Sequence, residues 1–138
     1  MNPCEIELGT AAYLGSVISE PAGTQFFAAV NTADMDLEKP AVVARAENIE
    51  FRTTTCFVGA VEVAVRTPAT VYTREQHSAL VDAVSAALND KTAFVAGFNA
   101  AATGVDLLGS TPVNFRAATF EDRAWVNVIS VGIGIVTT

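Results

Sequence analysis

The stretch FVGAVEVAVR, residues 57–66, decides the fold class. Val61, Val63 and Val65 alternate with Glu62, Ala64 and Arg66, and an apolar period of two is the pattern of a strand with one buried face. Immediately upstream, AVVARAENIEF (41–51) is also β-rich, with Val43, Ile49 and Phe51 on one parity and Thr53, Thr54 and Thr55 after it. The connection is short, which predicts an antiparallel hairpin. Downstream, Thr73 and Gln76 form a T-x-x-Q capping box, the signature of a helix N-terminus. His77, Leu80, Val81, Val84 and Leu88 then recur at i, i+3, i+4, i+7 and i+11, a stripe that faces a core. Asp90 is placed to cap a second, shorter helix carrying Phe94, Val95 and Phe98, which stops near Gly104.

Outward from this centre the pattern is looser. An N-terminal helix is predicted within residues 1–20, where Pro3 suits the first turn and Glu5 and Glu7 suit its positive end. Its apolar positions are Ile6, Tyr13, Leu14, Val17 and Ile18, although Gly9 and Gly15 lower its propensity. Thr24 to Val30 reads as a short strand or extended segment, and residues 31–40 (NTADMDLEKP) as an exposed acidic loop. Val105 to Phe115, broken by Gly109 and Pro112, reads as an edge or bulged strand. Trp125 to Thr137 is the longest strand, with Trp125, Ile129, Val131, Ile133 and Ile135 on one face. At ~3.3 Å per residue it spans about 40 Å, so it is expected to bend near Gly132 and Gly134 or to leave the domain and meet a neighbour. The whole is a single α+β domain, residues 1–138, with an antiparallel or mixed sheet of about four strands and helices packed on one face.

Of the 138 residues, 51% are hydrophobic and 17% charged, against about 25% charged in an average soluble domain. Two explanations compete: the outside favours Ala, Ser and Thr, or part of the surface is covered by copies of the same chain; the mean hydropathy of +0.37 favours the second. The longest apolar run, Val126 to Val136, is too short to span a membrane and carries Asn127, Ser130 and two glycines. A secretory leader is not expected, since no basic segment precedes an apolar one at the N-terminus. The net charge of −7 and the scatter of the eight basic residues argue against wrapping of a nucleic-acid backbone. Acidity is compatible with DNA sliding past without adhering.

Every residue type that commonly carries chemistry has a plainer structural account here. His77 lies on the apolar stripe, with Thr73, Arg74, Leu80 and Val81 at i±3 and i±4, none of them a metal ligand or a catalytic partner. Asp34, Asp36 and Glu38 resemble a calcium loop superficially, without its glycine or distant glutamate. Glu47, Glu50 and Glu62 are candidate Mg²⁺ carboxylates of a nuclease, with no lysine in either strand to accompany them. Cys4 and Cys56 have no C-x-x-C partner, so a reduced, intracellular pair is expected and a disulfide between them stays open; Cys56 is expected to be buried and inert. The glycines of V-G-I-G-I lie within a strand and not between strand and helix, so they form no dinucleotide loop. Ser78, Ser85 and Ser110 lack a G-x-S-x-G context. No catalytic, cofactor-binding or metal-binding residue is assigned.

The order AVVARA (41–46), GAVEVAVRT (59–67), TREQHSALVDAVSAAL (73–88), FVAGFNA (94–100) and EDRAWVNV (121–128) resembles the tail-terminator and tail-completion proteins of long-tailed bacteriophages. The similarity runs from about Pro40 to Val136, roughly two thirds of the chain. Its most diagnostic pieces are H-x-x-L-V-x-x-V-x-x-x-L at His77–Leu88 and E-x-R-x-W at Glu121–Trp125, which mark core packing and not a functional site. The resemblance implies a small α+β subunit of a ring, commonly a hexamer, that caps the tail tube and joins it to the head. It implies the tail-tube and head-completion proteins as partners and a place in the tail or neck of the virion, after assembly in the host cytoplasm. Other rings of the neck share this size and class. A small metal-dependent nuclease, and a non-viral module that recruits a strand to a sheet edge, are the competing readings. If the last strand meets a neighbour, Gly134→Val is expected to weaken oligomerisation more than folding.

Overall fold

The computed structural model describes all residues, Met1–Thr138. Three helices, α1 (Pro3–Val17), α2 (Arg74–Asn89) and α3 (Lys91–Ala101), pack on a mixed sheet of seven strands. The strands are β1 (Gln25–Ala28), β2 (Ala41–Phe51), β3 (Cys56–Pro68), β4 (Val105–Ser110), β5 (Asn114–Phe115), β6 (Thr119–Glu121) and β7 (Ala124–Thr137). The order across the sheet is β1-β2-β3-β7-β4, with β5 and β6 also pairing along β7. The α+β class is as the sequence predicts; the strand count is not four, because β1 joins β2 in parallel and the 105–121 region supplies three short strands beside β7.

β3 and β7 pair over their full length, from Cys56↔Val136 to Pro68↔Ala124. β7 stays paired with β3 as far as Val136 and so does not run free of the sheet. Its other edge is occupied in succession by β4, β5 and β6, so its length is used inside the chain. The hairpin from β6 turns at Asp122 and Arg123, both at positive φ (48° and 60°), the backbone a two-residue type I′ turn requires. The E-x-R-x-W stretch is therefore this turn, followed by Trp125 packed edge-on against Phe120.

Alternation sorts the two sheet faces. Val61, Val63, Val65, Ile129, Val131, Ile133 and Ile135 are buried beneath the helices. On β2 the buried parity is Val42 and Ala44, not Val43. The reason is a bulge between Glu47 and Glu50, where Asn48 adopts φ 53°; an extra residue in one strand reverses the facing of the residues beyond it. Val43 thus pairs with Ala64 on the face away from the helices, whereas Phe51 pairs with Phe57 on the helix side.

The capping box of α2 forms as the sequence predicts: Gln76 N–H donates to Thr73 Oγ1 (3.2 Å) and Thr73 N–H to Gln76 Oε1 (2.8 Å). Asp90 ends α2 and accepts from Ala93 N–H to start α3. Phe94 and Phe98 are fully buried. The glycines that weaken α1 and α3 as isolated helices allow them to touch. A Cβ on Gly9 would lie 2.8 Å from the Phe98 ring, and one on Gly97 would collide with Tyr13. Tyr13 in turn stacks on Phe94 at 5.2 Å and donates its hydroxyl to Ala87 O (2.6 Å). That carbonyl belongs to the last turn of α2, where helix carbonyls have no partner in the helix.

Both long sheet edges are met by helix side chains. Asn99 of α3 mimics a neighbouring strand, accepting from Leu107 N–H (2.6 Å) and donating to Leu107 O (3.2 Å). Glu7 of α1 accepts from Ala46 N–H (2.9 Å) just beyond the last residue that β1 covers. Glu7 is buried there and its other carboxylate oxygen has no partner, so its role is at the sheet edge and not only at the helix end.

Gly97→Ala separates packing from propensity. Helix propensity alone gives a gain of about 1 kcal/mol; overpacking against Tyr13 gives a loss of about 1–3 kcal/mol. We expect a net loss in urea unfolding, and a gain would mean that the α1–α3 approach is looser than described.

Candidate functional site

The helices leave one face of the sheet without a covering layer. That face presents Val43, Arg45 and Glu47 of β2, Val58, Ala60, Glu62, Ala64 and Arg66 of β3, and the even-numbered residues of β7 from Val126 to Val136. Its centre is charged. Arg45 pairs with Glu47 (2.7 Å) and Glu62 (3.4 Å), and Arg116, 4.0 Å from Glu62, approaches from the segment after β5. The arginines are largely exposed and the glutamates about one-third so, at 33% and 30%, and solvent screening leaves each pair about 0–1 kcal/mol. Their effect is to occupy the carboxylates. Glu47 and Glu62 are held by arginines, and Glu47, Glu50 and Glu62 do not come together with one another or with His, Cys or Asp as a group able to hold a metal ion.

Toward one end the open face becomes small and apolar. A shallow depression of about 520 Å³ is lined by Val58, Leu108, Gly109, Thr111, Gly132 and Gly134, and Lys91 reaches it from the start of α3. The two glycines of β7 differ in kind. Gly132 lies under Thr111, whose hydroxyl accepts from Gly132 N–H (2.9 Å) and would be 2.8 Å from a Cβ there. A Cβ on Gly134 would meet nothing within 4 Å.

The sole histidine is enclosed on the other side of the sheet, 1% exposed. Its Nε2 is 2.7 Å from Asn127 Oδ1 and its Nδ1 2.9 Å from Thr67 Oγ1. Asn127 Nδ2 donates to Arg116 O (2.9 Å), which fixes its amide so that Oδ1 accepts from His77. Nε2 therefore carries the proton, and in the neutral ring Nδ1 accepts from Thr67. One ring ties α2 to β3, to β7 and, through Asn127, to the backbone after β5. The sequence stripe shows that His77 packs inward, but not its partners, which lie 10 and 50 residues away. Burial pushes His77 below its ordinary value near 6.5, and the charge of Arg74 pushes the same way, against the favourable bond to Asn127.

The other sequence candidates are dispersed. Asp34, Asp36 and Glu38 are exposed as expected, on a loop that is pinned. Gln25 bonds both Asp36 N–H and Asp36 O, and Arg66 donates to Leu37 O (3.1 Å). Cys4 and Cys56 are free thiols, both half-buried, so Cys56 is less enclosed than expected because it opens β3 beside the exposed turn 52–55. Ser78 and Ser85 lie on α2 and Ser110 on β4, and both ring nitrogens of the only histidine are engaged elsewhere.

The histidine network predicts a pH dependence. In the unfolded chain His77 protonates near pH 6.5, whereas the folded chain resists it. Stability is then flat above about pH 7 and falls as pH drops through 6.5 toward the lower folded value, by at most about 1.4 kcal/mol per pH unit. Urea unfolding between pH 7.5 and 5.5 measures this, with His77→Gln as the control that removes the slope. A histidine resonance titrating at or above 6.5 in the folded chain would contradict it.

No family model matches the chain, and no curated protein matches it.

Proposed function

We propose that the chain is a ring-forming structural subunit at the tail terminus or head–tail neck of a bacteriophage, capping the tail tube and joining it to the head. Its partners are copies of itself, in a ring of six, together with the tail-tube and head-completion proteins. It acts in the virion after assembly in the host cytoplasm, and DNA passes through the ring without specific binding. Its role is structural, not catalytic; a different ring of the neck is the nearest alternative.

The observation that carries this reading is the uncovered sheet face. Two-layer domains bury one face of a sheet under helices, and the other face is then either polar or covered by something else. Here it carries Val43, Val58, Ala60, Ala64, Val126, Val128 and Val136 around a small charged centre. A chain with 17% charged residues has little else with which to solvate it. The net charge of −7 suits a DNA channel, because like charge repels the phosphates. The resemblance in residues 40–136 supplies the identity of the assembly; the geometry supplies only a surface suited to one.

A second reading has an observation of its own. β1 covers β2 only from Ala41 to Ala44, so the edge from Glu47 to Phe51 is free to receive a strand from a partner in a non-viral binding module. A metal-dependent nuclease is disfavoured by the arginines on Glu47 and Glu62.

Light scattering with negative-stain imaging tests the proposal. The expected result is a ring, in solution or on added tail tubes. A chain that stays monomeric at high concentration and forms no ring on tubes would contradict it.

A further inference from the structure

Residues 113–118 are mostly exposed and contain only the two-residue strand β5. Two hydrogen bonds from side chains fasten this segment, and both trace to α2. At one end Val113 N–H donates to Oδ1 of Asn89, the last residue of α2 (2.9 Å). At the other, Arg116 O accepts from Asn127 Nδ2 (2.9 Å), and His77, in the first turn of α2, holds the amide of Asn127 in that orientation. Were the amide flipped, Asn127 Oδ1 would face the Arg116 carbonyl, acceptor against acceptor.

The pocket of His77 is built for a neutral ring. A proton added at Nδ1 would require the Thr67 hydroxyl to turn and accept. That hydroxyl is buried and has no partner besides His77, so its hydrogen would be left unpaired in the core, which is costly. The charged ring would also lie out of water beside Arg74 of its own helix. From the other elements it faces uncharged groups alone: Thr67 of β3, Trp125 and Asn127 of β7 and, through Asn127, the Arg116 carbonyl. No carboxylate compensates it.

We propose that His77 is a proton-operated latch: the neutral ring, through Asn127, holds residues 113–118 against β7, and the protonated ring turns out to solvent and frees them. The effect crosses the sheet. His77 lies beneath the helices, whereas the Arg116 guanidinium stands 4.0 Å from Glu62 on the open face, and with Asn114 it walls a depression over Val128 and Ser130 there. Release removes that wall and the Arg116 charge, so acid remodels the face that the proposed assembly uses. The latch itself does not depend on the assembly reading.

Hydrogen exchange of the full chain between pH 7.5 and 5.0, corrected for the intrinsic pH dependence of exchange, tests this. Peptides covering residues 113–118 report the latch, and residues 59–66 of β3 report global opening. As pH falls through 6.5 toward the lower value of the latched ring, protection of 113–118 should drop by up to about tenfold per pH unit, the limit for one proton. Residues 59–66 should stay protected over the same range, and His77→Gln should abolish the response. Asn127→Asp keeps an acceptor for His77 but turns a carboxylate toward the Arg116 carbonyl. It should therefore expose 113–118 already at pH 7.5 and raise the pH at which the His77 resonance titrates. The comparison of wild type with His77→Gln decides alone if Asn127→Asp does not fold. Protection of 113–118 that ignores pH, that is lost in step with 59–66, or that responds equally in His77→Gln would overturn the latch.

Discussion

The antiparallel ladder between β3 and β7, thirteen residue pairs without a bulge, is the constraint on which the other features depend. It fixes two faces. On one, valine and isoleucine alternate from both strands and give α1, α2 and α3 a continuous apolar bed. On the other, the same alternation sets out alanine, glycine, valine and Glu62, which pairs with Arg45 of β2, and only loop residues such as Thr111 and Leu37 lie over it. Because strand register moves in steps that exchange the faces, a ladder this long resists slipping: a shift of one residue would expose the core valines and bury Glu62 and Arg66 together.

The rest of the molecule finishes what the ladder leaves open. Helix side chains meet the unpaired backbone at the edges, Asn99 with both a donor and an acceptor at Leu107 and Glu7 with an acceptor at Ala46. The three helices are joined at Tyr13, which reaches Gly97, Phe94 and the Ala87 carbonyl. His77 does for the sheet what Tyr13 does for the helices, linking α2 to both strands of the ladder through groups that are fully hydrogen-bonded. Edges are thereby partly blocked and the core is closed, which leaves the open face as the surface with unmet packing capacity. The proposed assembly role would use that capacity.

Legibility of the sequence tracks the range of the forces involved. The capping box at Thr73, the dual role of Asp90 and the alternation in β3 are local, and the residues concerned state them directly. The single bulge at Asn48 defeats the parity of β2, since one left-handed residue inverts the face of Ile49 and Phe51 without changing the composition of the stretch. The length of β7 suggests an overhang; three short strands absorb it, and two- and three-residue strands leave no periodicity to read. Gly9 and Gly97 look like helix weaknesses in sequence and are contact points in space. The partners of His77 and the arginine pairing of Glu47 and Glu62 depend on chain segments brought together by the sheet. The candidate surface itself is only foreshadowed, by low charge and by a glycine in the last strand.

If the open sheet face is an assembly surface, assembly must hide it from solvent. Hydroxyl-radical footprinting of the assembled particle against the isolated chain measures this most directly. The predicted result is protection concentrated on the open-face side chains Val58, Leu108, Val128 and Val136, with exposed positions away from that face, such as Val71 before α2, labelled as in the isolated chain. Equal labelling of the open face in both states would contradict it.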